Sequence, residues 1–69
     1  MKEITKERLR YIANDIQTIE TNTMTNKTLI MGFENIEKSK MIDYINHLEY
    51  GEITIYFKNG DIRTYLLID

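Results

Sequence analysis

The dipeptide Asn59-Gly60 is the feature that most constrains the fold, because it interrupts a stretch at 52–68 that is rich in β-branched and aromatic residues. Asn-Gly between two such runs favours a two-residue type I′ turn, since both central residues must adopt positive φ. The sequence therefore predicts a C-terminal β-hairpin. A two-residue loop also fixes the register of the two strands, and it places Tyr56 opposite Arg63.

Strand alternation in this register predicts two different faces for the hairpin. The inner face gathers apolar side chains and is expected to join the core: Ile53, Ile55, Phe57, Ile62, Leu66 and Ile68. The outer face carries large groups that point away from that core: Tyr56, Arg63, Tyr65 and Leu67. The last strand contains neither proline nor lysine, so we expect it to be a weakly protected edge of the sheet.

Two helices are predicted elsewhere in the chain. Over residues 2–20 the apolar side chains recur at steps of three and four, which is typical of an amphipathic helix. The segment at 21–28 is rich in threonine and asparagine, which compete for the backbone and end this helix. The second helix is expected to begin at Ser39 as its N-cap and to stop before Gly51.

The segment at 29–33 fits two interpretations, because its apolar residues alternate as in a strand and also lie on one side of a helix. We prefer a strand, since Gly32 weakens a helix interior by roughly 1 kcal/mol. The elements together predict a single α+β domain over residues 1–69, a small two-layer sandwich with the order α-β-α-β-β. The helices and the middle strand are expected to cover the inner face of the hairpin, because a lone hairpin is marginally stable in water.

The composition argues against most catalytic classes. The sequence has no cysteine, which excludes disulfides and thiolate chemistry and favours a cytoplasmic location. Its one serine and one histidine, Ser39 and His47, lie eight residues apart on the predicted helix, about 12 Å and too far for a hydrogen bond. Metal ligands are not clustered, and no glycine-rich phosphate loop is present. We therefore expect no enzyme activity, no metal site and no cofactor, and His47 is expected to be exposed or to interact with C-terminal carbonyls of its helix.

The longest apolar run, at 66–68, is far shorter than the roughly 20 residues that span a bilayer, so no membrane association is expected. The leading functional hypothesis is a small non-catalytic module that binds protein through the outer face or the edge of the hairpin. Its candidate binding residues are Tyr56, Arg63, Tyr65 and Leu67, since tyrosine and arginine dominate interface hot spots. Three coverings of this face remain open: the first helix, a second copy in a homodimer, or a separate protein.

The alternative hypothesis is a regulator that binds nucleic acid through a basic N-terminal helix. The candidate residues are Lys2, Lys6, Arg8 and Arg10, although a net charge of -2 gives only a mild electrostatic footprint. Residues encoded by AT-rich codons (Phe, Tyr, Met, Ile, Asn, Lys) number 35, against 7 for Gly, Ala, Arg and Pro. This bias indicates a gene of an AT-rich bacterium, phage or mobile element, where small chains often regulate or inhibit host proteins.

Overall fold

The computed structural model describes residues 1–22, 28–32 and 37–69, and of Asn22 and residues 28–32 it describes the backbone alone. The elements follow in chain order: β1 (Lys2–Thr5), α1 (Lys6–Ile12), a 3-10 turn (Ala13–Asp15), β2 (Ile16–Asn22), β3 (Thr28–Gly32), α2 (Lys38–Asn46), β4 (Gly51–Phe57) and β5 (Ile62–Ile68). The strands form one sheet in the order β1-β5-β4-β2-β3, in which β1 is parallel to β5 and the other neighbours are antiparallel. The predicted α+β class is confirmed, but the predicted order is wrong because two further strands, β1 and β2, flank α1.

The core lies between the helices and one face of the sheet. One cluster of buried side chains contains residues of both the strands and the helical segments. The strands supply Ile4, Ile16, Ile19, Ile53, Ile55 and Leu67, and the helical segments supply Leu9, Ala13, Met41 and Ile45, with Leu48 following α2. Most of these residues are the ones that the spacing of apolar side chains in the sequence assigns to the core. Their burial supplies the main favourable term for folding in a chain of this size.

The predicted helix over 2–20 is wrong outside Lys6–Ile12. Thr5 caps α1, because its side chain accepts a hydrogen bond from the Arg8 backbone N–H at 3.1 Å. In β2 the register with β4 shifts between Ile16 and Thr18, which makes Gln17 the extra residue of a β-bulge. The bulge lets Ile16 and Ile19, three residues apart, both face the core, and this spacing reproduces the step of a helix.

The β4–β5 hairpin is confirmed, but its predicted register is wrong by one residue. Tyr56 pairs with Ile62 rather than with Arg63, so the loop holds three residues, 58–60. The Phe57 N–H donates to the Asp61 carbonyl at 2.8 Å, and the Gly60 N–H donates to the Phe57 carbonyl at 3.0 Å. Gly60, the last residue of this loop, has a positive φ of 95°, which suits a three-residue hairpin loop ending in a left-handed glycine.

This slip moves every side chain of β5 to the opposite face of the sheet. Leu67, expected outside, is 1% exposed in the core, while Ile62 and Leu66, expected inside, lie on the outer side at 63% and 38% exposure. The expectation that β5 forms an edge is also wrong. It pairs with β1 along its other side, from Lys2 opposite Tyr65 onward.

In the middle of the chain, the observed elements agree more closely with those predicted from the sequence. The preferred strand is confirmed over Thr28–Gly32, and Phe33 lies outside the described residues. The N-cap of α2 is Glu37, whose backbone is extended, so the prediction of Ser39 as the cap is wrong. Gly51 has a positive φ of 132° but begins β4, because α2 already ends at Asn46.

Candidate functional site

One candidate surface is the face of the sheet that points away from both helices, here called the outer sheet face. Strand alternation and pairing place nine side chains of β2, β4 and β5 on it: Thr18, Glu20, Glu52, Thr54, Tyr56, Ile62, Thr64, Leu66 and Ile68. All of them are exposed or half-buried. The charged members are Glu20 and Glu52, and none of these three strands contributes a lysine or arginine to this face.

Side chains on the outer sheet face hold one another in place. The hydroxyls of Thr54 and Thr64, directly paired across β4 and β5, lie 3.3 Å apart. The Tyr56 hydroxyl donates to Glu20 Oε2 at 3.3 Å across β4 and β2. Such cross-strand contacts stabilise the pairing of neighbouring strands and limit the motion of these side chains.

A second candidate lies on the helix side of the sheet, where a cavity of about 490 Å³ opens between β1, α1 and the loop of the hairpin. We call it the basic groove. Its basic lining residues are Lys2, Arg8, Lys58 and Arg63, and its acidic ones are Glu3, Asp15 and Asp61. Phe57, Tyr65, Ile4 and Ile12 supply its apolar surface.

The structure does not bring the four predicted protein-binding residues onto one surface. Tyr56 lies on the outer sheet face, whereas Arg63 and Tyr65 line the basic groove. Leu67 is buried and cannot touch a partner without unfolding. Sequence reasoning missed Ile62 and Leu66 as exposed groups because it assigned a two-residue loop, although Lys58-Asn59-Gly60 also suits a three-residue loop with glycine last.

The four predicted nucleic-acid-binding residues are likewise divided. Lys2 and Arg8 line the basic groove. Lys6 and Arg10 reach across to the end of α2, where Lys6 Nζ donates to the Asn46 carbonyl at 2.9 Å and Arg10 Nη1 donates to Asn46 Oδ1 at 2.7 Å. Cations at a helix C-terminus stabilise it, so this pair has a structural role.

Two further polar side chains of the described residues, His47 and Tyr44, have distinctive surroundings. His47 Nδ1 lies 2.7 Å from the Asp43 carbonyl, which is the helix-end contact expected from the sequence. Burial raises the pKa of the Tyr44 hydroxyl, which belongs to a residue packed against the core. Within residues 1–22, 28–32 and 37–69, no three His, Asp or Glu side chains are grouped to hold a metal ion. Over the same residues, no helix is long and apolar enough to span a membrane.

Comparisons with protein families, with curated proteins and with solved structures find no match to this chain.

Proposed function

We propose that the protein is a small non-catalytic module that binds another protein through its outer sheet face. The observation that carries the proposal is the exposure of Ile62 and Leu66, at 63% and 38%, on a sheet face that lies opposite both helices. Apolar groups gathered on one exposed face mark interaction sites in soluble proteins. In this proposal the chain acts in the cytoplasm as a regulator or inhibitor encoded by an AT-rich bacterium, phage or mobile element.

The chemistry of the outer sheet face selects a partner that is apolar and basic. Glu20 and Glu52 lie beside the apolar groups, and β2, β4 and β5 place no positive charge among them. Complementary charge steers association and excludes wrong partners. A partner with exposed lysine or arginine around an apolar centre therefore fits this face.

A second copy of the same chain fits the face less well. In a two-fold dimer the same patch meets itself, so Glu20 and Glu52 would enter the interface together with their equivalents. Because β2, β4 and β5 bring no lysine or arginine to this face, the two copies would present only acidic charge from these strands to each other. We therefore choose a separate protein over a homodimer.

The experiment combines cross-linking with a test of charge sign. A photoreactive amino acid is placed at Ile62 in one variant and, as a matched control, at Tyr11 in another, since Tyr11 is 79% exposed on α1. In cells of the source organism, position 62 should yield a defined adduct with another protein and position 11 should not. With the purified partner, Ile62→Lys should weaken binding by more than tenfold, and Ile62→Glu should weaken it by roughly tenfold or less.

Both substitutions lie at an exposed position, so the melting temperature should change little. The proposal is refuted if Ile62→Lys binds as tightly as the unaltered protein, or if adducts form at Tyr11 alone. An adduct between two copies of this chain, supported by a doubled mass in light scattering, would replace the separate protein with a homodimer.

A further inference from the structure

The basic groove draws its positive charge from separate parts of the chain. Lys2 belongs to β1, Arg8 to α1, Lys58 to the hairpin loop and Arg63 to β5. Like charges repel, so their convergence on one cavity raises the free energy of the empty site and favours an anion within it. Among the described residues, Lys2, Arg8 and Lys58 have no carboxylate within ion-pair distance.

The three acidic lining residues do not cancel this charge. The Asp61 carboxylate accepts from Asn59 Nδ2 at 3.4 Å and lies 3.8 Å from Arg63 Nη2, so it is engaged within the hairpin end. Glu3 and Asp15 are fewer than the three remaining cations, so the lining keeps a net positive charge. The Arg8 guanidinium lies 5.1 Å from the centroid of the Tyr11 ring. This contact and the Arg63–Asp61 pair are exposed, so both can exchange partners at little cost.

The basic groove also contains aromatic side chains, and one hydrogen bond holds the hairpin loop beside it. Phe57 and Tyr65 line it while packing against the core, which limits their motion. The Lys58 N–H donates to the Asp15 carbonyl at 2.9 Å, and this bond ties the hairpin loop to the segment before β2. Aromatic rings beside basic groups are the surface on which bases stack and phosphates are held.

From these observations we infer that the basic groove binds a nucleotide, with its phosphate on Lys2, Arg8 and Arg63 and its base against Tyr65. The cavity volume of about 490 Å³ falls within the range of small-molecule sites. The nucleotide comes either from the free pool or from a single-stranded nucleic acid, and both sources present the same phosphate and base. This site lies on the helix side of the sheet, so it is independent of the outer sheet face.

The test is a titration followed by two-dimensional amide NMR, with AMP, adenosine, inorganic phosphate and an eight-nucleotide oligothymidylate as separate probes. AMP or the oligonucleotide should shift the amide signals of Lys2, Arg8 and the hairpin end. Adenosine and phosphate alone should bind at least tenfold more weakly, because each supplies one half of the contacts. Saturation by AMP assigns the free nucleotide as the source, and binding of the oligonucleotide alone assigns the single strand.

The variants remove one charge at a time from exposed positions. Arg63→Gln and Lys2→Gln should each weaken binding about tenfold, since each removes a charge-assisted contact to phosphate. Lys40→Gln is the matched control, because Lys40 is an exposed cation on α2 that does not line the groove. The inference is overturned if neither AMP nor the oligonucleotide shifts these signals at millimolar concentration, or if Lys40→Gln weakens binding as much as Arg63→Gln. Loss of nucleotide binding would leave protein binding by Ile62 intact, so the two proposals fail separately.

Discussion

Gly60 is the residue whose backbone decides the register of the hairpin. It has a φ of 95°, and a Cβ added there would meet no atom within 4 Å. The cost of a side chain at this position is therefore backbone strain alone. An Asn-Gly pair can place positive φ at both residues or at glycine only, and local sequence does not choose between these loops.

Replacing Gly60 with L-alanine should lower the free energy of unfolding by about 1–2 kcal/mol, because an L side chain disfavours this conformation. D-Alanine in a synthetic chain is the matched control. It accepts positive φ and should raise stability by about 0.4–1 kcal/mol by restricting the unfolded chain. Urea unfolding measures both, and equal effects of the two enantiomers would contradict the assigned backbone.

The buried hydroxyl of Tyr44 should make the stability of the folded protein depend on pH in the alkaline range. Burial raises the pKa of its hydroxyl above the ordinary value of 10.0, so the folded state holds this proton more tightly than the unfolded state. The resulting stability is complete below about pH 10 and is lost as the pH rises through the folded pKa. Urea unfolding at increasing pH should show Tyr44→Phe losing less stability than the unaltered protein above about pH 10, with Tyr11→Phe as the control. Parallel curves for the protein and Tyr44→Phe would exclude this coupling.

At the scale of elements, the sequence predicts composition of the core better than it predicts secondary structure. Ile16 and Ile19 are core residues in both the predicted helix and the observed strand, because the bulge at Gln17 gives a strand the three-residue spacing of a helix. A bulge depends on the pairing with β4, which periodicity along one segment does not contain. The hairpin and α2 have strong local signals, and they are found where the sequence predicts them. The strand Thr28–Gly32 is found as the preferred one of two interpretations, because its apolar pattern alone also fits a helix.

The candidate site depends more strongly on register than the fold does. A shift of one residue leaves the hairpin intact but exchanges Leu66 with Leu67 between the two faces. The outer sheet face therefore carries Ile62 and Leu66 in place of the expected Arg63, Tyr65 and Leu67, while Tyr56 remains on it. The basic groove was not predicted, because Arg8 and Arg63 lie far apart in sequence and meet only after β1 pairs with β5.

Alanine substitution distinguishes the two registers. Leu67→Ala should lower the free energy of unfolding by about 2–5 kcal/mol, since it opens a cavity in the core. Leu66→Ala, its neighbour on the outer sheet face, should cost less than about 1 kcal/mol. The register with a two-residue loop requires the opposite ranking, so chemical unfolding of the two variants decides between them.

At the scale of the whole molecule, β1 closes the sheet beside β5. Ile4 is 7% exposed and belongs to the core, while the backbone of β1 occupies the open side of β5. This short strand thus contributes both apolar burial and protection of the sheet.

Deleting residues 1–4 should lower the free energy of unfolding by about 2–5 kcal/mol through loss of Ile4, and the freed side of β5 should promote self-association. Urea unfolding and light scattering at rising concentration measure these effects. Glu3→Ala keeps the backbone pairing and should remain close to the unaltered protein in both. A monomeric, fully stable truncated chain would show that β1 contributes nothing to closure.

The parallel arrangement of β1 and β5 also has a mechanical consequence. Residue 1 precedes β1 and residue 69 follows β5, so opposite forces applied at these two positions act along the strands in shear. The hydrogen bonds between the two strands then bear the load together, whereas a hairpin pulled open at its ends breaks them one after another. Stretched between residues 1 and 69, the protein would behave as a clamp that yields abruptly at high force.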